Sequence, residues 1–123
     1  MKDWSEDQPI FRQLAQRVSK QILQGVWPEG SALPSVRSVS TDLKINHLTV
    51  LKAYQLLVDD GLVEKRRGQG MYVCAGAQSQ LLTEQKQLFI ETQIPDIAAT
   101  LRQVKMPMDE FISRLSQHIE GDE

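Results

Sequence analysis

The sequence of 123 residues is poor in the features on which secreted and membrane proteins depend. It contains one cysteine, Cys74, which cannot form an internal disulfide, and we therefore expect a cytoplasmic protein. No apolar run approaches the roughly 20 residues that span a bilayer. The first seven residues include three acidic side chains and are too acidic for a signal peptide. Neither a disulfide scaffold nor a membrane protein is expected.

Residues for catalysis and metal binding are scarce as well. The two histidines, His47 and His118, lie in no His-x3-His spacing, and no Cys-x2-Cys pair is present. Nucleophile-elbow and phosphate-loop motifs are absent. The fragment Gly68-Gln69-Gly70 precedes a predicted strand, whereas a nucleotide-binding turn opens a helix. The sequence thus predicts no enzyme, no cofactor and no metal site.

Charge is distributed unevenly along the chain. Residues 1–75 carry ten Lys/Arg against eight Asp/Glu, a net charge of +2, whereas residues 76–123 carry four against eight, a net charge of −4. Because a local basic patch determines nucleic-acid binding, the overall charge of −2 does not exclude a DNA partner. A short polar joint begins at residue 76, and we predict two domains, 1–75 and 76–123.

Periodicity and capping residues predict three helices in the first domain. Apolar residues recur at three- and four-residue spacing over 9–24. Ser35 is placed to cap a helix over 36–43, and Asn46 is placed to cap a helix over 47–60. Only residues 44–46 separate the last two helices. Because this turn is so short, the two helices must cross at a steep angle, as in a helix-turn-helix.

A β-hairpin is predicted after these helices. Two β-prone runs, 62–65 and 71–74, flank a loop that contains two glycines. Its tip is expected to carry Lys65, Arg66 and Arg67, and a glycine such as Gly68 lets a loop approach DNA closely. A helix-turn-helix followed by a basic hairpin is the plan of a winged helix. The predicted fold is therefore mainly α with a small β-hairpin.

The start of the third helix holds side chains suited to DNA. Asn46 can bond adenine, His47 and Thr49 can donate to bases or phosphates, and Leu48 can touch a thymine methyl. Lys52 follows one turn later. Capping alone explains Asn46 and Thr49 equally well, and this alternative stays open. For His47 a role facing DNA is favoured over an inert surface position, because no apolar stripe includes it.

Other cations near this helix are expected to bind phosphates. Arg37 begins the second helix, and the run Lys65-Arg66-Arg67 belongs to the hairpin. Each taken alone is more often a solvated surface charge. Together beside a helix-turn-helix they favour contacts with the phosphate backbone or the minor groove.

Apolar residues after position 80 predict a helical dimerisation region. Six of them fall at intervals of 4, 3, 4, 3 and 4, the spacing of a seam between packed helices: Ile90, Ile94, Ile97, Leu101, Val104 and Met108. Further apolar residues extend this surface: Leu81, Leu82, Leu88, Phe89, Phe111, Ile112 and Leu115. Pro95 indicates a kink in one helix or a break between two. Packing onto the winged helix is the alternative, but the seam exceeds what one short helix covers, which favours dimerisation.

Several fragments stand in a characteristic order over residues 8–75: Pro9-Ile10-Phe11, Leu33-Pro34-Ser35-Val36-Arg37, Thr49-Val50, Ala53-Tyr54, Leu57, Gly61-Leu62 and Gly68-Gln69-Gly70-Met71-Tyr72-Val73. As a set they resemble the GntR family of bacterial transcription regulators. The resemblance implies that Arg37, the helix start at 46–49 and the wing at 67–68 contact DNA. The family commonly has Ser-Arg where this chain has Asn46-His47, and often a basic residue where it has Leu51. Those arginine contacts are therefore not carried over.

The length after the predicted wing also resembles one subgroup. Family members with metabolite-binding domains carry well over a hundred residues there, whereas this chain has 48. It is similar in this respect to the YtrA-like subgroup, whose C-terminal helices dimerise. So short a region implies no large enclosed ligand pocket within one subunit, and any effector is unknown.

Taken together, the sequence predicts a homodimeric winged-helix repressor that binds double-stranded DNA at a two-fold symmetric operator. The alternative is a winged helix that binds a protein partner through its basic hairpin. The predicted DNA-binding residues are Ser35, Arg37, Asn46, His47, Leu48, Thr49, Lys52, Lys65, Arg66, Arg67 and Gly68. Cys74 is expected to act as a small buried apolar residue in preference to a redox sensor.

Overall fold

The computed structural model describes residues 4–121. Contacts divide the chain into two compact units, the first ending at Thr83 and the second beginning at Glu84. The fold is mainly helical with one β-hairpin, as predicted. Its elements are α1 (Ile10–Gln24), α2 (Val36–Leu43), α3 (His47–Asp59), β1 (Val63–Arg66), β2 (Gly70–Val73), α4 (Ala77–Leu88), α5 (Ile94–Val104) and α6 (Met108–Gly121).

Local capping fixes the helix-turn-helix, and both predicted N-caps are confirmed. The backbone N–H of Ser38 donates to Ser35 Oγ at 3.0 Å, and the N–H of Leu48 donates to Asn46 Oδ1 at 2.8 Å. Between the helices, Lys44 ends α2 in the left-handed conformation with φ 57°. The Ser40 hydroxyl then donates to the Ile45 carbonyl at 2.6 Å. These bonds set where α3 begins relative to α2.

The core of the first unit lies between the inward faces of α1 and α3. On α3 the inward positions are Val50, Ala53, Tyr54 and Leu57, all buried. The Tyr54 hydroxyl donates to the Pro34 carbonyl at 2.7 Å and ties α3 to the residues that lead into α2. The buried core consists of Leu14, Ala15, Val18, Ile22, Leu33, Val50, Ala53, Tyr54, Leu57, Leu62, Val63, Val73, Ala77 and Leu81.

The hairpin is antiparallel, with Val63 opposite Val73 and Arg66 opposite Gly70. Its strands begin and end about one residue away from the predicted runs. Lys65 and Arg66 consequently lie within β1, and the turn that joins the strands consists of Arg67, Gly68 and Gln69. The segment before α2 adds a bridge between Ala32 and Tyr72, which attaches the hairpin to the helical core.

The first turns of α4 belong to the first unit. Ala77 and Leu81 are buried in its core, and Leu81 is 6% exposed. The sequence analysis assigned Leu81 to the dimer seam; it packs inside its own subunit instead, because the helix begins against the core. Polar bonds hold this helix start. The Gln78 N–H donates to Glu29 Oε2 at 3.1 Å, and Gln78 Nε2 donates to the Leu23 carbonyl at 2.9 Å.

Pro95 does not interrupt the helical backbone; it lies in the first turn of α5. A π-helical turn, Phe89–Gln93, joins α4 to α5 without interruption. Proline has no N–H, and its ring would clash with the carbonyl four residues earlier in an α-helix. The wider turn accommodates this, with the Ile94 N–H donating to the Phe89 carbonyl. The Thr92 hydroxyl donates to the Leu88 carbonyl at 2.7 Å.

The predicted seam is interrupted before its last member. Lys105 ends α5 in the left-handed conformation with φ 59°, so Met108 begins α6 and does not continue the helix of Ile90 and Val104. No residue from 84 to 121 is buried. The second unit therefore has apolar side chains but no internal core of its own.

Candidate nucleic-acid interface

The recognition face is the outward side of α3, defined here by His47, Leu48, Leu51, Lys52 and Gln55, all exposed. It lies opposite the buried positions of the same helix. The amino end of α3 carries the positive end of the helix dipole, and backbone amides there suit phosphate oxygens. The exposed side chains of the recognition face and the amino end of α3 therefore lie on the same surface. A helix that enters the major groove needs both on one surface.

Asn46 is committed to the helix by its cap. Its Oδ1 accepts the Leu48 N–H, and its backbone carbonyl accepts the N–H of Thr49 at 2.9 Å. Bidentate bonding to adenine needs both Oδ1 and Nδ2 of an asparagine. Such a contact would compete with the cap. Thr49, in the first turn of α3, is half-buried. Contacts of Asn46 and Thr49 with DNA remain a prediction, and Asn46 already has a structural role as the N-cap.

An open groove separates α2 from the recognition face. Its walls are Val36, Arg37, Ser40, Thr41, His47 and Leu51. Arg37 is exposed at the start of α2 and Ser35 is exposed just before it. The Tyr54–Pro34 hydrogen bond positions this helix start, since Pro34 immediately precedes Ser35. The structure therefore brings the predicted cation of α2 to the same groove as His47.

The cations of the hairpin differ in their surroundings. Arg66 is half-buried, its guanidinium lies 4.0 Å from the centre of the Tyr72 ring, and its Nε donates to Glu64 at 3.0 Å. Those three side chains share one face of the hairpin because of the strand register. Lys65 and Arg67 are exposed and have no ion-pair partner among residues 4–121. Arg67 and Gly68, with φ 75°, occupy the turn itself.

Arg12, a basic neighbour of the predicted Lys52, was missed from the sequence. The Lys52 ammonium lies 5.1 Å from the centre of the Phe11 ring, and the Arg12 guanidinium lies 5.5 Å from the same ring. Because the half-buried Phe11 of α1 lies next to both cations, Arg12 is close to the recognition face, to which Lys52 belongs. Leu51 and Gln55 also line this surface and were not predicted. Residue spacing within one helix gave no signal for the α1–α3 contact.

Cys74 follows β2 and is half-buried. Burial raises the pKa of its thiol, the Glu64 carboxylate raises it further, and the Arg66 guanidinium acts in the opposite direction. A raised thiol pKa reduces the thiolate fraction that reacts with oxidants. These surroundings favour the structural role expected from the sequence.

Metal ligands are not grouped in the part of the chain that the structure describes. No group of three or more His, Cys, Asp or Glu side chains is placed to hold a metal there. Within residues 4–121, no helix is both long and apolar enough to cross a bilayer.

Most of the predicted seam is exposed within one subunit. Nine of its thirteen residues have large exposed side chains: Leu82, Leu88, Phe89, Ile90, Ile94, Val104, Met108, Ile112 and Leu115. Ile97, Leu101 and Phe111 are half-buried, and Leu81 lies in the core. Ile119 is a further exposed residue that the seam prediction omitted.

Comparison with known proteins places this geometry among bacterial regulators. The model of the family described as bacterial regulatory proteins, gntR family, matches residues 11–73. The HTH-type transcriptional repressor YtrA of Bacillus subtilis (strain 168) is 31% identical over 116 residues, which cover 92% of this chain and 88% of that protein. Several longer regulators match 53–63% of this chain but 14–28% of their own length.

Solved structures show the same fold over nearly the whole chain. A GntR family transcriptional regulator from Listeria monocytogenes superposes with a TM-score of 0.73 at 22% identity, covering 93% of this chain and 98% of that one. YtrA from Sulfolobus acidocaldarius, a GntR-family transcription factor, superposes with a TM-score of 0.56 at 29% identity, covering 73% and 95%. The similarity thus extends beyond the winged helix into the C-terminal helices.

Proposed function

The chain belongs to the GntR family of bacterial regulatory proteins, and on that premise we propose that it is a homodimeric transcriptional repressor that binds a two-fold symmetric operator. The observation that carries the proposal is the exposed recognition face with cations on both sides of it. Arg37 lies across the α2–α3 groove, and Lys52 lies beside Arg12 on Phe11.

Docking on DNA follows from this arrangement. The start of α3 enters the major groove, where its positive dipole end and backbone amides meet phosphates and its side chains meet base edges. Arg37, Lys52 and Arg12 neutralise phosphates around the helix. Arg67 and Lys65 of the hairpin contact the neighbouring backbone or minor groove. Affinity comes mainly from these cations, and sequence preference from the recognition face.

Dimerisation is supported by the state of the second unit. Its apolar side chains are exposed, and residues 84–121 include none that is buried. Large apolar side chains exposed in such number favour an interaction site. A second copy of the chain is the proposed occupant, because the acidic second unit has little attraction for DNA. A symmetric dimer presents two recognition faces to two operator half-sites.

Repression is proposed from the similarity to YtrA, whose description names a repressor. We place the protein in the cytoplasm, where its DNA would be. We also propose that one subunit encloses no large effector pocket, because residues 84–121 include none that is buried. A thermal-shift screen that found a metabolite enclosed by one subunit would contradict it.

The test is selection of bound fragments from a random-sequence duplex pool by the full chain. A two-fold symmetric consensus is expected. Sedimentation should show a dimer that Ile94→Glu dissociates, because it places a charge in the exposed apolar seam. Gln103→Glu adds the same charge on the opposite side of α5 and should leave the dimer intact. A consensus without symmetry, or a monomer at all concentrations, would contradict the homodimer.

Binding to duplex DNA of random sequence distinguishes a DNA-binding protein from the alternative, a module that binds a protein partner. A DNA-binding protein is retained on such a duplex at low salt and released as salt rises, since phosphate contacts need no particular sequence. Absence of salt-dependent retention would support a protein partner for the basic surface.

A further inference from the structure

Two leucines are exposed on the recognition face. Leu48 is 59% exposed and Leu51 is 42% exposed, although both lie on a helix whose opposite side fills the core. They are three residues apart, so their side chains are neighbours on one face of α3. Neither leucine belongs to the buried core of the first unit, and neither side chain takes part in the N-cap of α3.

The surroundings of this pair are those of a surface that meets DNA. Leu48 shares its surface with Lys52 and Gln55, and Leu51 lies in the groove with Arg37 and His47. Cations and the amino end of a helix attract a polyanion. Asn46, two residues before Leu48, has its Oδ1 engaged in the cap, and the exposed His47 lies between them. Two of the five residues of the recognition face, Leu48 and Leu51, are apolar.

We propose that Leu48 and Leu51 recognise thymine through its C5-methyl group in the major groove, an inference that rests on the proposed DNA-binding function. Among the four standard bases, the thymine methyl is the apolar group on a major-groove edge. A leucine placed there removes apolar surface from water. A G·C pair has no such methyl group, so the same leucine buries less apolar surface against it. The two leucines thus select thymine in each half-site and disfavour G·C pairs.

The experiment removes the methyl groups alone. A duplex selected by the full chain is synthesised again with single thymines replaced by deoxyuridine, which keeps pairing and every hydrogen-bonding group. Affinity is measured for the wild type, Leu48→Ala and Leu51→Ala. Val26→Ala serves as the matched control, because Val26 is 52% exposed in a turn outside α3. Alanine is a good helix former, so both leucine variants should fold.

At one or more half-site thymines, deoxyuridine should weaken binding by the wild type and by Val26→Ala about four-fold per methyl. The loss should shrink to less than about two-fold in Leu48→Ala or Leu51→Ala, because the partner of the methyl is gone. Equal wild-type affinity for the thymine and deoxyuridine duplexes would overturn the inference while DNA binding stands. An undiminished loss in both leucine variants would also overturn it. No salt-dependent retention on any duplex would overturn the proposed function itself.

Discussion

Replacing Tyr54 by Phe removes one hydroxyl that joins the core to the DNA-facing surface. The ring is 1% exposed and its hydroxyl donates to the Pro34 carbonyl at 2.7 Å. A hydrogen bond of this type contributes about 1 kcal/mol net to folding. In a unit of fewer than a hundred residues, that loss lowers the melting temperature by roughly 4–8 °C.

The pH dependence of unfolding gives the burial of the same hydroxyl an independent signature. Burial raises the pKa of Tyr54 from 10.0 to about 12. The folded state therefore favours the neutral phenol, and this contribution is fully present below pH 10. It is lost as the pH rises from 10 towards 12, because the unfolded chain releases its proton first. The stability advantage of the wild type over Tyr54→Phe should be constant below pH 10 and shrink above it.

The assay is urea unfolding at a series of pH values, with Tyr72→Phe as the matched control. The Tyr72 hydroxyl makes no hydrogen bond with residues 4–121, so its removal should cost much less. Tyr54→Phe should also bind DNA more weakly, since Pro34 leads into Ser35 and Arg37. Equal stability of the two variants, with identical alkaline profiles, would refute the reasoning.

Three further predictions concern packing, charge and reactivity. Leu81→Ala should lower the free energy of unfolding by roughly 2–4 kcal/mol because Leu81 is buried. Leu48→Ala, at an exposed site, should change it by less than about 0.5 kcal/mol. Urea unfolding compares the two variants, and equal losses of stability would place Leu81 outside the core. Arg67→Ala should weaken DNA binding more than Arg66→Ala in equilibrium titrations, because Arg66 is held by Glu64 and Tyr72. A larger loss of affinity in Arg66→Ala would mean that Arg66 leaves Glu64 and Tyr72 when the protein binds DNA. Cys74 should react with iodoacetamide at pH 8 more slowly than free cysteine does. The reaction should become faster in Glu64→Gln, since the Glu64 carboxylate raises the thiol pKa. Mass spectrometry follows the adduct, and an unchanged rate in Glu64→Gln would exclude the influence of Glu64.

Local features of this fold were predictable because their causes are local. Ser35 and Asn46 cap helices through bonds to residues two or three positions away, and the side-chain types alone indicate this. The alternation of β-prone runs with glycines likewise predicted a hairpin. Its strand bounds differ from the prediction by about one residue, since where a strand ends depends on contacts across the strands.

Features that depend on distant contacts were not predictable from spacing. Leu81 and Leu82 are adjacent apolar residues, yet the first is 6% exposed and the second 60%. Periodicity does not distinguish packing within a subunit from packing between subunits. The pairing of Arg66 with Glu64 and Tyr72 required the strand register, and the place of Arg12 beside Lys52 required the packing of α1 on α3.

The central claim is that the start of α3 and its flanking cations form the DNA-binding surface. The most direct measurement is the salt dependence of duplex binding by the wild type, Arg37→Ala and Lys86→Ala. Lys86 is an exposed cation at the end of α4, outside the first unit. Arg37→Ala should weaken binding by roughly 1–3 kcal/mol and reduce the slope of log K against log salt by about one, while Lys86→Ala follows the wild type. Identical titrations for all three proteins would contradict the claim.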